Sequence, residues 1–262
     1  MSSIIDVHAH IGHNIHFDNG QTYDEYITTM DRVGIEKAII SVATGGRQVD
    51  GLADSIRQND TIAEAMRAHP DRFPVGLGCV EVRHAEKAVE ELERCFTELH
   101  LQGMVFHPTF EGIILGWTKV LDPLFELASE HRALCLYHAT DDILAPPKAL
   151  GELADRYPDV TLLMGHPAMT VHQREECVEA ARGRENVWVD LAYQEDPETA
   201  EYLVEKLGGE RVLFGSDAPF YDIDATIASI HTARISDEVR ERILYGNAAD
   251  LVGRFARESS AA

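Results

Sequence analysis

SIIDVHAH (residues 3–10) is a short run of mostly apolar residues that ends in two histidines, and it is the first of eight such runs. The others are KAIISVAT (37–44), FPVGLGCV (73–80), GMVFH (103–107), ALCLYH (133–138), VTLLMGH (160–166), NVWVDLAY (186–193) and RVLFGSD (211–217). Each is nearly continuous in Val, Ile, Leu and similar residues, as a strand buried on both faces must be. Between them lie stretches with helical spacing. Residues 23–34 set Tyr26, Ile27, Met30 and Val33 on one face, and 85–99 set Ala88, Val89, Leu92 and Phe96 against a charged face. Residues 121–131, 149–157, 171–182 and 198–207 repeat the pattern, and a helical segment over 236–255 closes the chain. Gly34, Gly183 and Gly208 stand where helices should stop. Strict alternation of strand and helix dictates a parallel sheet with helical crossovers, and eight units predict a (β/α)8 TIM barrel. One domain is expected over 1–262. The rival is an open doubly wound sheet, which would place a Gly-rich phosphate turn after the first strand. HAHIGHN stands there instead.

The bulk composition narrows the function. Hydrophobic residues make up 45% and charged residues 26%, so a core can form without staples. No run approaches the length of a membrane span, and MSSIIDVHAH lacks the features of a secretory signal. Cys79, Cys95, Cys135 and Cys177 are too scattered for a disulfide framework or a thiolate zinc site, so buried free thiols and a cytoplasmic location are expected. The formal charge of −22 repels phosphate backbones and anionic membranes, which leaves a small-molecule substrate as the expected partner. A homodimer is the ordinary expectation for an oligomer.

In a barrel, catalytic side chains project from the C-terminal ends of the strands. Five of the thirteen histidines fall at such ends: His8, His10, His107, His138 and His166, joined by Asp217 on the last run. His8 and His10 are two apart, so both point to the same side of their strand. Closure brings His138 and Asp217 to the same axis. Three imidazoles and a carboxylate suit one divalent metal with room for a water. Zinc fits that donor set best, and manganese or iron also fits. A turn or N-cap carboxylate is the bland reading of Asp217, and three histidines in register outweigh it. Pro167 should keep His166 extended at its strand end, beside the metal as a proton shuttle or oxyanion partner. His107 could contact substrate, orient a ligand or bond a loop.

These motifs resemble the amidohydrolase superfamily, and more narrowly its amidohydrolase-related (amidohydrolase 2) branch. The matching pieces are IIDVHAHIG, GMVFHP, LCLYHAT, LLMGHPA, VWVDLA, LFGSDAPF and ILYGNAADL, spread in order over nearly the whole chain. The resemblance implies a distorted TIM barrel with a divalent metal held by His8, His10 and His138. It also implies that Asp217 contacts metal and attacking water, and that His166 assists. Binuclear members carry a carbamylated lysine on the fourth strand. GMVFHP has none, so a mononuclear site is expected. The DNase-like branch also opens with H-x-H, but its Gly-Glu and Thr-Asp motifs are missing and the charge opposes DNA.

The leading expectation is therefore hydrolysis of a small amide, ester or lactone, with Asp217 and His166 as catalytic groups. The alternative is a metal-dependent lyase, a decarboxylase or hydratase of an unsaturated or aromatic acid. Such members are commonly longer, and Arg47 is the one loop candidate for a carboxylate clamp. A non-catalytic binding barrel is the third reading, and the intact ligand set opposes it. Loops 11–22, 44–51, 107–118 and 218–224 shape the mouth. Phe110, Trp117, Tyr193, Phe220 and Tyr221, in or beside them, are candidates for a pocket wall or for packing under loops.

The excess of 45 acidic over 23 basic residues has two readings, a salt-adapted host or an ordinary acidic enzyme from a GC-rich genome. Thermal unfolding in a KCl series separates them. Loss of structure at low salt marks the salt-adapted protein, and indifference to salt marks the other.

Overall fold

The computed structural model describes residues 3–43, 50–115, 117–139, 144–167 and 170–258. The chain begins with β1 (Ile4–Asn14), turns back through the short β2 (Asn19–Gln21), and enters α1 (Tyr23–Val33). Then come β3 (Ile35–Val42), α2 (Leu52–Ala68), β4 (Val75–Gly78), α3 (Glu86–Thr97), β5 (Gly103–Phe106), α4 (Pro108–Glu111) and α5 (Thr118–Glu130). The second half runs β6 (Leu134–His138), α6 (Pro147–Arg156), β7 (Thr161–Gly165), α7 (Val171–Ala181), β8 (Val187–Asp190), α8 (Pro197–Leu207), β9 (Val212–Leu213) and α9 (Ile223–Thr232). The last segment is α10 (Asp237–Glu241), a π-helical turn over Arg242–Gly246, and α11 (Asn247–Glu258).

Local chemistry sets many of these boundaries. Thr22 and Glu25 form a reciprocal capping box at the start of α1, and Gly34 ends that helix in the left-handed region at φ 84°. Thr170 and Gln173 do the same for α7, and Asp222 caps α9. Besides the single turn of α4, two helices escape the periodicity reading. The buried side of α2 is largely small or polar (Ser55, Asn59, Ile62, Ala63, Ala65), and that of α9 mixes Ile223 and Ile230 with Thr226 and Ser229. The α2 face lacks the large apolar residues that betray an amphipathic helix, whereas α9 carries Ile223, Ile227 and Ile230 at helical spacing, with Ile227 packed against the core, a signal the sequence reading did not take up. All four cysteines are buried, as expected.

The strands form a nine-stranded sheet in the order β2-β1-β3-β4-β5-β6-β7-β8-β9. Eight are mutually parallel, and β2 adds antiparallel to β1. The distorted barrel closes where the ladder of β9 has already ended. Val7 N–H donates to the Phe214 carbonyl at 3.1 Å, Asp217 N–H to His8 at 2.7 Å, and His10 N–H to Ala218 at 2.9 Å. Asp6 locks that seam. One of its carboxylate oxygens accepts from His8 N–H (2.9 Å) and Ser216 N–H (3.0 Å), and the other accepts from the Tyr26 hydroxyl (2.6 Å). Period-two alternation puts Asp6, His8 and His10 on the same face of β1, towards the barrel axis. The opposite faces of the strands join the helices in one contiguous core that includes Ile39, Leu77, Phe125, Leu163 and Phe214.

Replacing Asp6 would strand two buried backbone N–H groups and a tyrosine hydroxyl. Asp6→Ala should cost on the order of 3 kcal/mol or more in unfolding free energy, because each orphaned buried polar group costs roughly 1–3 kcal/mol. Urea unfolding measures it, and a loss below about 1 kcal/mol would contradict the seam's importance.

Candidate metal centre

Four side chains meet at the C-terminal end of the barrel. The ligating atoms of His8, His10, His138 and Asp217 all lie within 4.8 Å of one another, and all four residues are buried. His8 Nε2 is 3.1 Å from His10 Nε2 and 3.0 Å from His138 Nε2, and the latter two are 3.3 Å apart. Asp217 Oδ1 lies 2.8 Å from His10 Nε2 and 3.3 Å from His8 Nε2. His166 joins from beyond β7, its Nε2 3.5 Å from Asp217 Oδ2.

The opposite ring nitrogens decide what these atoms can hold. His8 Nδ1–H donates to Asp190 Oδ2 at 2.8 Å. His10 Nδ1–H donates to the Val42 carbonyl at 2.9 Å, with the Ser41 hydroxyl also 2.9 Å away. His138 Nδ1 faces the Phe106 carbonyl at 3.4 Å. Carbonyl and carboxylate acceptors require the proton on each Nδ1, which leaves three bare Nε2 lone pairs facing one another. Such a group is repulsive unless a cation sits among the lone pairs, so these residues fit a divalent metal.

The electrostatics agree. Burial alone would lower the His8 pKa, but the Asp190 and Asp217 carboxylates reverse that and raise it to about 10. The pull that favours a proton there favours any cation. Burial would raise Asp217, yet His166, His10 and His8 hold it well below the usual carboxylate range. His138 is pushed well down by burial and then by the neighbouring histidines. His166 is lowered by burial, partly offset by Asp217, and burial takes His107 down to about 3.

The packing around His8 explains two sequence choices. A Cβ on Gly165 would meet the His8 ring at 2.6 Å, and one on Gly215 would meet His8 Cβ at 2.8 Å. The glycines of MGH and FGS therefore make room for this imidazole.

One backbone expectation is corrected. His166 is not extended at its strand end but left-handed, at φ 56°. The preference imposed by Pro167 yields to the tertiary fit, which turns the ring inward and brings the His166 N–H within 3.4 Å of Asp190 Oδ1. Tyr193 (φ 63°) and Asp217 (φ 56°) share this geometry, so three strand ends around the site carry left-handed non-glycine residues. Each costs roughly 1–3 kcal/mol and persists only where its surroundings enforce it.

A cavity of ≈190 Å³ opens above these groups. His10, His138, His166 and Asp217 form part of its floor, and His107, Phe110, Phe220 and Tyr221 line it, as do Asn14 at the end of β1 and Phe17 in the hairpin that follows. Trp117 is not among the lining residues and lies exposed at the start of α5, while Phe17 lines the cavity although it too is exposed. Tyr193 packs against Tyr221, with ring centroids 3.8 Å apart. Arg47 and most of loop 44–51 lie outside the described residues. Asp190 is the functional residue that the sequence reading missed. It ends β8 as Asp217 ends its own run, and its position in NVWVDLAY was the available signal.

A family model described as Amidohydrolase matches residues 5–254. The chain is 25% identical over 287 residues to the gamma-resorcylate decarboxylase of Polaromonas sp. (strain JS666), covering 87% of this chain and 86% of that protein. It is 26% identical over 245 residues to the 2-amino-3-carboxymuconate-6-semialdehyde decarboxylase of Dictyostelium discoideum, covering 74% and 65%. Among solved structures, a dihydroxybenzoic acid decarboxylase from Polaromonas sp. JS666, with bound manganese and the inhibitor 2-nitroresorcinol, superposes with a TM-score of 0.74. That pair is 19% identical, with 97% of each chain covered. The 287 aligned positions exceed the 262 residues of this chain, so the Polaromonas relative is the longer protein, as expected of such members.

Asp190 sets the tautomer of His8, so Asp190→Asn should weaken metal binding by roughly 10–100-fold while the fold is kept. Chelator competition reads the change, and an unchanged affinity would remove Asp190 from this role.

Proposed function

The chain belongs to the amidohydrolase family, and from that premise we propose that it is a metal-dependent decarboxylase of a small, single-ring carboxylic acid. The observation that carries this reading is the aromatic collar of Phe17, Phe110, Phe220 and Tyr221 seated directly over the histidine and aspartate floor. A flat apolar acid can bury its ring in the collar while its carboxylate reaches the floor. The decarboxylase relatives, matched over most of their length, support this alternative over the hydrolysis that the motifs put first. The manganese in the Polaromonas structure supports manganese over zinc.

His8, His10, His138 and Asp217 would hold the ion. A bound ion there supplies positive charge for the substrate carboxylate and for any charge that builds up beside it. The chain's own residues do the rest. Loss of CO2 leaves an electron pair on the ring carbon, and one proton must take its place. Asp217 Oδ2 and His166 Nε2, 3.5 Å apart, can hold that proton between them and deliver it to the carbon. The collar keeps water from the same position.

The test uses manganese-loaded protein with 2,6-dihydroxybenzoate and a panel of other hydroxylated single-ring acids, in D2O. The expected result is CO2 release with one deuterium at the vacated carbon, slowed by roughly 10²-fold or more in His166→Ala with metal content unchanged. Turnover of esters, lactones or amides without CO2 release from any acid would return the protein to hydrolysis.

A further inference from the structure

A ladder of near-parallel rings runs from the rim of the cavity to its floor. His16 stacks on Phe110 (centroids 4.5 Å apart, planes at 20°), and Phe110 on His107 (3.9 Å, 15°). His107 then stacks on His138 (4.9 Å, 21°), whose plane lies at 25° to that of His10, the last two rings meeting at their Nε2 atoms 3.3 Å apart. The rings come from five places in the chain: the hairpin after β1, α4, the residue between β5 and α4, the end of β6, and β1 itself.

The three imidazoles of the metal centre are not anchored alike. His8 has a carboxylate at 2.8 Å and His10 a carbonyl at 2.9 Å, both strong hydrogen bonds. The His138 contact with the Phe106 carbonyl is 3.4 Å, outside the usual range for N–H···O bonds. Yet His138 Nε2 is placed as closely as the others, 3.0 Å from that of His8. One face of its ring is instead covered by His107, 4.9 Å away and only 21° from parallel, so rotation about Cβ–Cγ towards that side is blocked. His107 is itself held. It caps α4, its backbone N–H donates to the buried Glu111 Oε1 at 3.1 Å, and Phe110 covers its other face.

We propose that His107, backed by Phe110, is a positioning residue that orients His138 for the metal through ring stacking. Of the three roles open to His107 from the sequence, this selects the orienting of a ligand. The inference rests on the metal reading of the site and not on which reaction it performs. It makes the shape of the ring the essential property of residue 107, whatever its nitrogens do.

Cobalt(II) titration followed by visible absorption tests it on the wild type, His107→Ala, His107→Phe and Phe110→Leu, each checked for folding by circular dichroism. His107→Ala should weaken cobalt binding by about 10-fold or more and alter the ligand-field bands. His107→Phe, which keeps a stacking ring but no imidazole nitrogen, should restore both. Phe110→Leu should give a smaller loss in the same direction. Equal losses in the Ala and Phe variants would assign the effect to the imidazole's hydrogen bonds and overturn the proposal, as would unchanged binding in all three. A wild type that binds no cobalt would overturn the metal reading beneath it.

Discussion

The hydrogen bond from Asp217 N–H to the His8 carbonyl, 2.7 Å long, joins the two ends of the barrel and two members of its metal centre at once. Residues more than 200 positions apart have to meet at this seam, and the β9 ladder covers only Val212–Leu213. The seam is built from scattered bonds and from the Asp6 carboxylate, which accepts from both sides of it. Asp6, His8 and His10 share one face of β1, so the residue that fastens the barrel and those that carry its chemistry are placed by the same alternation.

Around that seam the structure concentrates cost in a few places. Three buried imidazoles present bare lone pairs to one another, and three strand ends hold left-handed non-glycine residues. Such features survive where the surrounding packing enforces them, and they gather at functional sites because a preformed cation site needs converging donors. The means of convergence differ: a carboxylate for His8, a carbonyl for His10 and stacked rings for His138. The aromatic collar above supplies what the floor lacks, an apolar wall.

Much of this was legible in the sequence because two periodicities leave plain marks. Buried parallel strands read as continuous apolar runs, and strand ends of a barrel share one rim, so His8, His10, His138 and Asp217 could be assembled by position alone. Asp190 was passed over because the apolar run NVWVDLAY extends to Tyr193 and hides it in the interior, whereas the strand itself stops at Asp190, and its partner His8 lies 182 positions away. The α2 helix was missed because its inner face is filled by Ser55, Asn59 and alanines, which fit a narrow space against the sheet but carry no hydrophobic signal. Local propensity misjudged His166 for the opposite reason: the Pro167 preference is real but worth less than the inward fit of the ring.

The sequence by itself determined the alternation of strand and helix, the barrel class, the family and the residue types gathered at the rim. These follow from local patterning, which the chain carries wherever it folds. The tertiary structure alone decided which nitrogen of each histidine is free, which carboxylate orients His8, and which aromatics form the collar rather than the outer surface. Those properties depend on distances between residues far apart in the chain. Such distances exist only once the sheet has closed on itself.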